Sequence, residues 1–210
     1  QSESSDLSGA LSQLGGLASL AGVNIGGGES SEAQIALEVM QSWSFIESFI
    51  SKNKLAVAII AANGWDRDSN QLQISDDVYD LEREIWLVEN SNGVIGPPTS
   101  WSLYKEFSKR LAVSQDKQSG LISVSIEFYS PIIAKQWLDI FIKEINAHMQ
   151  QRQVAKVTNN INYLQNQIRE TSIAEMEEVF YTIIEEQMKN KMVAEASPEY
   201  VFVEVSPSMI

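Results

Sequence analysis

Any chemistry in this chain has to come from its acids, because 28 Asp and Glu face 15 Lys and Arg, there is one histidine and there is no cysteine. Two arrangements stand out. Glu177-Glu178 and Glu185-Glu186 are carboxylate pairs, and glycoside hydrolysis needs only two carboxyl groups a few ångströms apart. Both pairs fall in helical sequence, however, where neighbouring side chains diverge by about 100° and such acids form a solvated face. The second arrangement is Trp65-Asp66-Arg67-Asp68. A tryptophan beside acids can be a platform for sugar, which makes Trp65 and Asp66 candidate glycan contacts, and Asp66 with Asp68 could open a calcium loop. The positions that follow lack the ligands such a loop requires. The plainer reading is a tryptophan that closes a loop.

Other signals are weaker. Gly26-Gly27-Gly28 has no strand before it and no Lys-Ser/Thr after it, so it reads as a linker and not a phosphate loop. No serine lies in a nucleophile motif, and a lone His148 cannot build a multi-histidine metal site. The expectation is a chain with no catalytic residue, no cofactor and no metal, and not an enzyme. A net charge of −13 repels phosphate backbones, so nucleic acid is not an expected partner. No apolar run reaches the 18 residues of a membrane span. Opening without methionine and closing on Ser206-Pro207-Ser208-Met209-Ile210, the chain reads as a soluble piece of something longer.

The elements that would position these residues centre on Ser130 to Ser197. Ser130-Pro131 is a helix start, and no further proline or glycine occurs until Pro198. Leu138, Ile142, Ile145 and Met149 form one helical stripe; Val157, Ile161, Leu164 and Ile168 form another, out of step with the first. Gln150-Gln151-Arg152-Gln153 lies where the seam rotates. A helix from Pro131 to Glu170 would be about 60 Å long, so it is expected to project. Ser172-Ile173-Ala174-Glu175 has capping-box form and opens a second helix to Ala196, with the bend at Thr171-Ser172. Its apolar face, with Ile173, Met176, Phe180, Ile183, Val179, Ile184 and Met188, is wider than one helix can cover. Candidate contacts within this arm or between copies are Met149, Arg152, Val157, Ile161, Leu164, Ile168, Met176, Phe180 and Ile184.

The remainder predicts an α+β base with a small mixed sheet and flanking helices, the 131–197 hairpin projecting from it. Residues 1–30 read as a flexible Gly/Ser/Leu-rich segment; 31–130 with 198–210 make the base. Helices are expected over Ser31 to Lys52, with a capping box at Ser44-Phe45-Ile46-Glu47, over Leu55 to Ala62 with a left-handed stop at Asn63-Gly64, and over Ser100 to Ser108. Strands are expected at Ile85 to Glu89, Leu111 to Ser114, Leu121 to Phe128 and, closing the sheet, Tyr200 to Val205.

Whole phrases of this chain resemble the Wzz chain-length determinants, the bacterial polysaccharide co-polymerases. They are Ala36-Leu37-Glu38-Val39, Gly64-Trp65-Asp66, Ser114-Gln115-Asp116-Lys117, Tyr129-Ser130-Pro131, Thr171-Ser172-Ile173-Ala174-Glu175-Met176 with Phe180-Tyr181, and Glu199-Tyr200-Val201-Phe202. The chain departs from that family in having Ser206-Pro207-Ser208 where Asp-Pro-Ala is usual, and in lacking the family's two membrane helices. The resemblance implies a base beside the inner membrane of a bacterium, on the periplasmic side, with a helix reaching into the periplasm. It also implies a homo-oligomeric ring that sets the length of O-antigen-type lipopolysaccharide made by a separate polymerase on a lipid-linked glycan. An adaptor role in the periplasm, or a carbohydrate-binding module, is the alternative.

Overall fold

The structure, a computed structural model, describes residues 28–209, with side chains from Glu32 onward. The expected flexible segment lies outside the described residues up to position 27; positions 28–30 are helical. The chain is α+β. Helices α1 (Gly28–Gln41), α2 (Trp43–Lys52) and α3 (Ala56–Ala61) lead into strands β1 (Ala62–Asp66), β2 (Gln71–Ile74), β3 (Tyr79–Asp80) and β4 (Ile85–Trp86). Helix α4 (Ser100–Ser108), strands β5 (Leu111–Gln115) and β6 (Ile122–Ile126), and helices α5 (Pro131–Glu170) and α6 (Ala174–Ala196) complete the described order.

Two compact units divide it, one of residues 35–145 with 202 onward and the other of residues up to 34 with 146–201. In the first unit the core is aromatic. Phe45 and Phe49 of α2 meet Phe141 of α5 edge-on, with ring centres 5.3 and 5.1 Å apart, and Phe49 lies 5.4 Å from Phe107 of α4. Phe107 and Phe141 are fully buried, as is Ile145. The buried line on this half of α5 is therefore Trp137, Phe141 and Ile145: Ile145 is buried as the sequence stripe has it, while Trp137 and Phe141 take the places expected of Leu138 and Ile142, one position on. Leu138 and Ile142 are only half-buried, because the wide rings beside them fill the space first.

Helix boundaries follow capping chemistry, with corrections to the expected caps. Ser130 Oγ accepts from the Ile133 amide at 3.3 Å, as the Ser-Pro start predicts. The cap of α2 is Ser42 and not Ser44: its Oγ accepts from Phe45 N, two residues ahead of the box read from sequence. At α6 the cap position is Ile173, without a side-chain bond, so the Ser172 box does not form. Its first turn is closed by the Ile173 carbonyl, which accepts from Met176 N and Glu177 N. Asn63-Gly64 is no helix stop. The chain passes from α3 straight into β1, with a bulge between Ala62 and Gly64, and a Cβ on Gly64 would lie 2.5 Å from Gln73 Oε1. That atom ends a flexible side chain that can move aside, so neither close approach nor a left-handed backbone dictates glycine there.

The expected single mixed sheet is replaced by three two-stranded antiparallel ones, β1–β2, β3–β4 and β5–β6. The β5–β6 pairing from Leu111↔Ile126 to Gln115↔Ile122 keeps Ile122, Val124 and Ile126 on the covered face, as their alternation requires. The strand expected over Ile85 to Glu89 shrinks to Ile85–Trp86, and Glu89 makes an isolated bridge to Ile95. The closing strand over Tyr200 to Val205 does not form. Val201 N–H donates to Asn146 Oδ1 at 3.0 Å instead of a ladder partner. Further on, Pro207 has no amide to give, and Ser208 Oγ is held by the side chains of Asp139 and Lys135.

Truncating Phe141 to alanine should cost about 3–5 kcal/mol, since a buried ring leaves a cavity that its neighbours cannot close. Tyr163→Ala, on the exposed side of α5 at 63% exposure, should stay within about 0.5 kcal/mol. Denaturant unfolding of the two variants checks the contrast; equal losses would contradict the placement of the core.

Candidate functional site

The sequence candidates cluster in the second unit, where α6 meets the C-terminal half of α5. Leu164 of α5 packs with Phe180 and Ile184 of α6, and Ile161, Ile168, Met176 and Ile183 surround them, half-buried. Met149 and Val157 are also buried. Eight residues separate those two, a rotation of about 80° on the helix, so the seam shifts across the intervening polar residues. Arg152 is exposed.

Contact runs early-to-late along the two helices, which is antiparallel order. At the far end from Leu164, the side-chain amide of Gln150 donates to the carbonyls of Ala194 at 2.8 Å and Ser197 at 3.0 Å. The Ala194 carbonyl also accepts from Ser197 N–H, so Gln150 adds to the closure of the last turn as a cap supplied from a different helix. Of the polar patch, Gln150 thus does fixed structural work. Asn146, 3% exposed, accepts from Val201 N, and next to it the Tyr200 hydroxyl donates to a Glu32 carboxylate oxygen at 2.9 Å. Burial, and then the hydrogen bond and charge of Glu32, push the Tyr200 phenol well above its ordinary value of 10.0.

The covered side of α6 is Phe180, Ile184, Gln187 and Ala194, spaced four, three and seven. A second apolar line lies about 100° round the helix: Tyr181, Met188 and Met192, spaced seven and four and spanning an arc of about 40°. These three side chains are 59%, 52% and 66% exposed. Sequence reasoning singles out Phe180 and Ile184 of the covered residues and names Met188 with them, but misses Gln187 and Ala194 on the covered side and Tyr181 and Met192 on the exposed one. Their spacing carries the signal: an apolar line with seven-then-four repeats, separate from the seam, is present in the sequence itself.

Trp65 and Asp66 are occupied locally. The Trp65 indole N–H donates to Asn70 Oδ1 at 3.0 Å across the β1–β2 turn. Asp66 accepts from Ser69 Oγ at 2.7 Å and from Asp68 N at 3.0 Å, and the Ser69 bond leads in holding its carboxyl below the usual carboxylate range. Among the described residues no group of three potential metal ligands converges. No described helix is long and apolar enough to cross a membrane. Compared with known proteins, the chain matches no family model, no curated protein and no solved structure.

A phenol with a raised pKa stabilises the fold fully below its unfolded value, and that contribution is lost as pH climbs past 10.0 toward the folded value. The wild-type protein should therefore lose stability above pH 10.0 more steeply than Tyr200→Phe, which has no proton to lose there. Urea titrations on both sides of that pH decide it, and parallel curves would contradict the half-buried Tyr200–Glu32 contact.

Proposed function

We propose that this chain is a non-catalytic scaffold that assembles with copies of itself into a ring and regulates the length of an O-antigen-type polysaccharide. The polymer would be made by a separate polymerase on a lipid-linked glycan. In this reading the first unit forms a base beside the inner membrane, on its periplasmic side, and α5 with α6 forms a hairpin arm reaching into the periplasm. The membrane is engaged through flanking helices that belong to the family the chain resembles.

The observation that carries the reading is the Tyr181–Met188–Met192 line. An isolated helix pair has no use for three large apolar side chains, each more than half exposed, in register along its outer surface. Copies packed side by side would cover them, and the residues buried within the pair, Leu164, Phe180 and Ile184, keep each arm rigid enough to be packed. The polysaccharide side of the proposal rests on the phrase-level resemblance, above all Thr171 to Met176 with Phe180-Tyr181, which includes the first residue of the exposed line. It also fits the occupied state of the acids: Asp66 is engaged in turn bonds.

The triple variant Tyr181→Asp, Met188→Glu, Met192→Glu should keep its helical circular dichroism, because none of the three is in the seam, while its assembly mass falls to that of the single chain. Cells carrying it should make a scattered or shortened polysaccharide ladder. Assembly of the wild type should strengthen with added salt, since each copy carries −13 and the apolar contact works against like-charge repulsion. An unchanged mass together with an unchanged ladder would overturn the proposal.

A further inference from the structure

The first unit contains a cleft of about 430 Å³ between the end of α3, the chain after β4, and α4, with Tyr129 at its edge. That is within the ~300–1,000 Å³ of small-ligand sites. Two aromatic rings line it, each propped by a neighbour: Trp86 stands edge-on to Tyr79 at 5.0 Å, and Tyr129 to Phe128 at 5.5 Å. Tyr129 is 47% exposed. Among the described residues, neither the Trp86 indole N–H nor the Tyr129 hydroxyl has a hydrogen-bond partner, so the cleft offers two apolar ring faces with an unused polar tip on each.

Its charges exclude most ligand classes. Arg110 is the cation of the lining, and its guanidinium is already engaged: it donates to the carbonyls of Glu106 and Ile59 and lies 3.5 Å from Glu106 Oε2. A phosphate or carboxylate clamp needs that fork free. Glu89 and Glu106 against Arg110 leave the lining with one net negative charge, in a chain of −13. Anions are therefore repelled. An apolar ligand is also disfavoured, because the cleft is open to water and lined by Glu89, Ser102 and Glu106 as well as by rings. What remains is a neutral molecule with C–H faces for the rings and hydroxyl edges for the polar tips.

We propose that this cleft binds a neutral saccharide unit, with Trp86 and Tyr129 as the ring platform and Glu89 accepting from its hydroxyls. The inference rests on the polysaccharide reading above for its biological setting, and on the cleft alone for its chemistry. It places glycan contact at Trp86 and Tyr129, away from the turn-bonded Trp65 and Asp66.

The test is a titration of the full chain, ¹⁵N-labelled at its tryptophans, with maltotriose, mannotriose and chitotriose, and with a uronate-containing trisaccharide as the anionic probe. Trp86→Phe identifies the Trp86 indole resonance. That resonance should move in the millimolar range with at least one neutral sugar and not with the uronate. Tyr129→Ala, which removes an exposed ring, should weaken binding about tenfold, and Tyr129→Phe should retain most of it. No movement with any neutral probe, an equal response to the uronate, or an unchanged affinity in Tyr129→Ala would each overturn the inference. The polysaccharide ladder separates this failure from that of the scaffold reading: a cleft blind to sugar in a protein that still assembles and still sets length removes the site alone. Sugar binding that persists in a chain without assembly or length control removes the scaffold and leaves the site.

Discussion

Two-stranded sheets are marginal in water unless something apolar is packed on them, and each of the three sheets among the described residues is two-stranded. The first unit therefore depends on its aromatic helical core. Phe141 is the point of closure, since its ring touches α2 twice and lies beside Phe107 of α4. From there the order spreads outward. Phe107 lies beside Trp137, Trp137 packs against Phe128 at 4.4 Å, and Phe128 continues the covered side of β6. The β5–β6 ribbon thus inherits its stability from rings on α4 and α5. Where no such chain of contacts reaches, as at Val94 and Ile95, 59% and 65% exposed, the backbone makes only an isolated bridge.

The second unit solves a different problem. Its seam is thin, Leu164 with Phe180 and Ile184, and polar groups fix its other end. Gln150 closing the last turn of α6 and Asn146 holding Val201 N are directional bonds, and directional bonds set register where apolar contact alone would let two helices slide. Helix α6 closes part of its last turn itself, Ser197 donating its N–H to the Ala194 carbonyl and its hydroxyl to the Val193 carbonyl, and Gln150 adds bonds from a different helix.

Elements set by local chemistry are legible in the sequence. Ser130-Pro131 starts α5 because the cap and the proline act within one turn, and the alternation of Ile122, Val124 and Ile126 fixes which side of β6 is covered. Helix-period stripes locate α5 and α6 and the seam shift between Met149 and Val157. What cannot be read depends on partners far along the chain. Two serines, Ser42 and Ser44, could cap α2, and Ser42 prevails because it starts the helix at Trp43, which places Phe45 and Phe49 toward Phe141. Val201 resembles a strand residue until Asn146, 55 positions earlier, takes its amide. Leu138 and Ile142 have the right period, but Trp137 and Phe141 have the volume. Among the site residues, period identifies the covered seam but gives no measure of how much of α6 one partner can cover, so Tyr181 and Met192 escape it.

The acids bring chemistry and scaffold together. A carboxylate that catalyses must be held near a substrate and kept from its own backbone, whereas Asp66, Asp80 and Asp116 each accept from amides two or three residues on. Those bonds stabilise turns and leave the acids facing water, where Asp66 and Asp116 hold their charge more firmly than a free carboxylate. A surface made this way is well hydrated. On such a surface the Tyr181–Met188–Met192 line is conspicuous by contrast: it is a part of α6 whose exposure to water no bond within the described chain explains, and in the proposed assembly the contact that covers it comes from another copy.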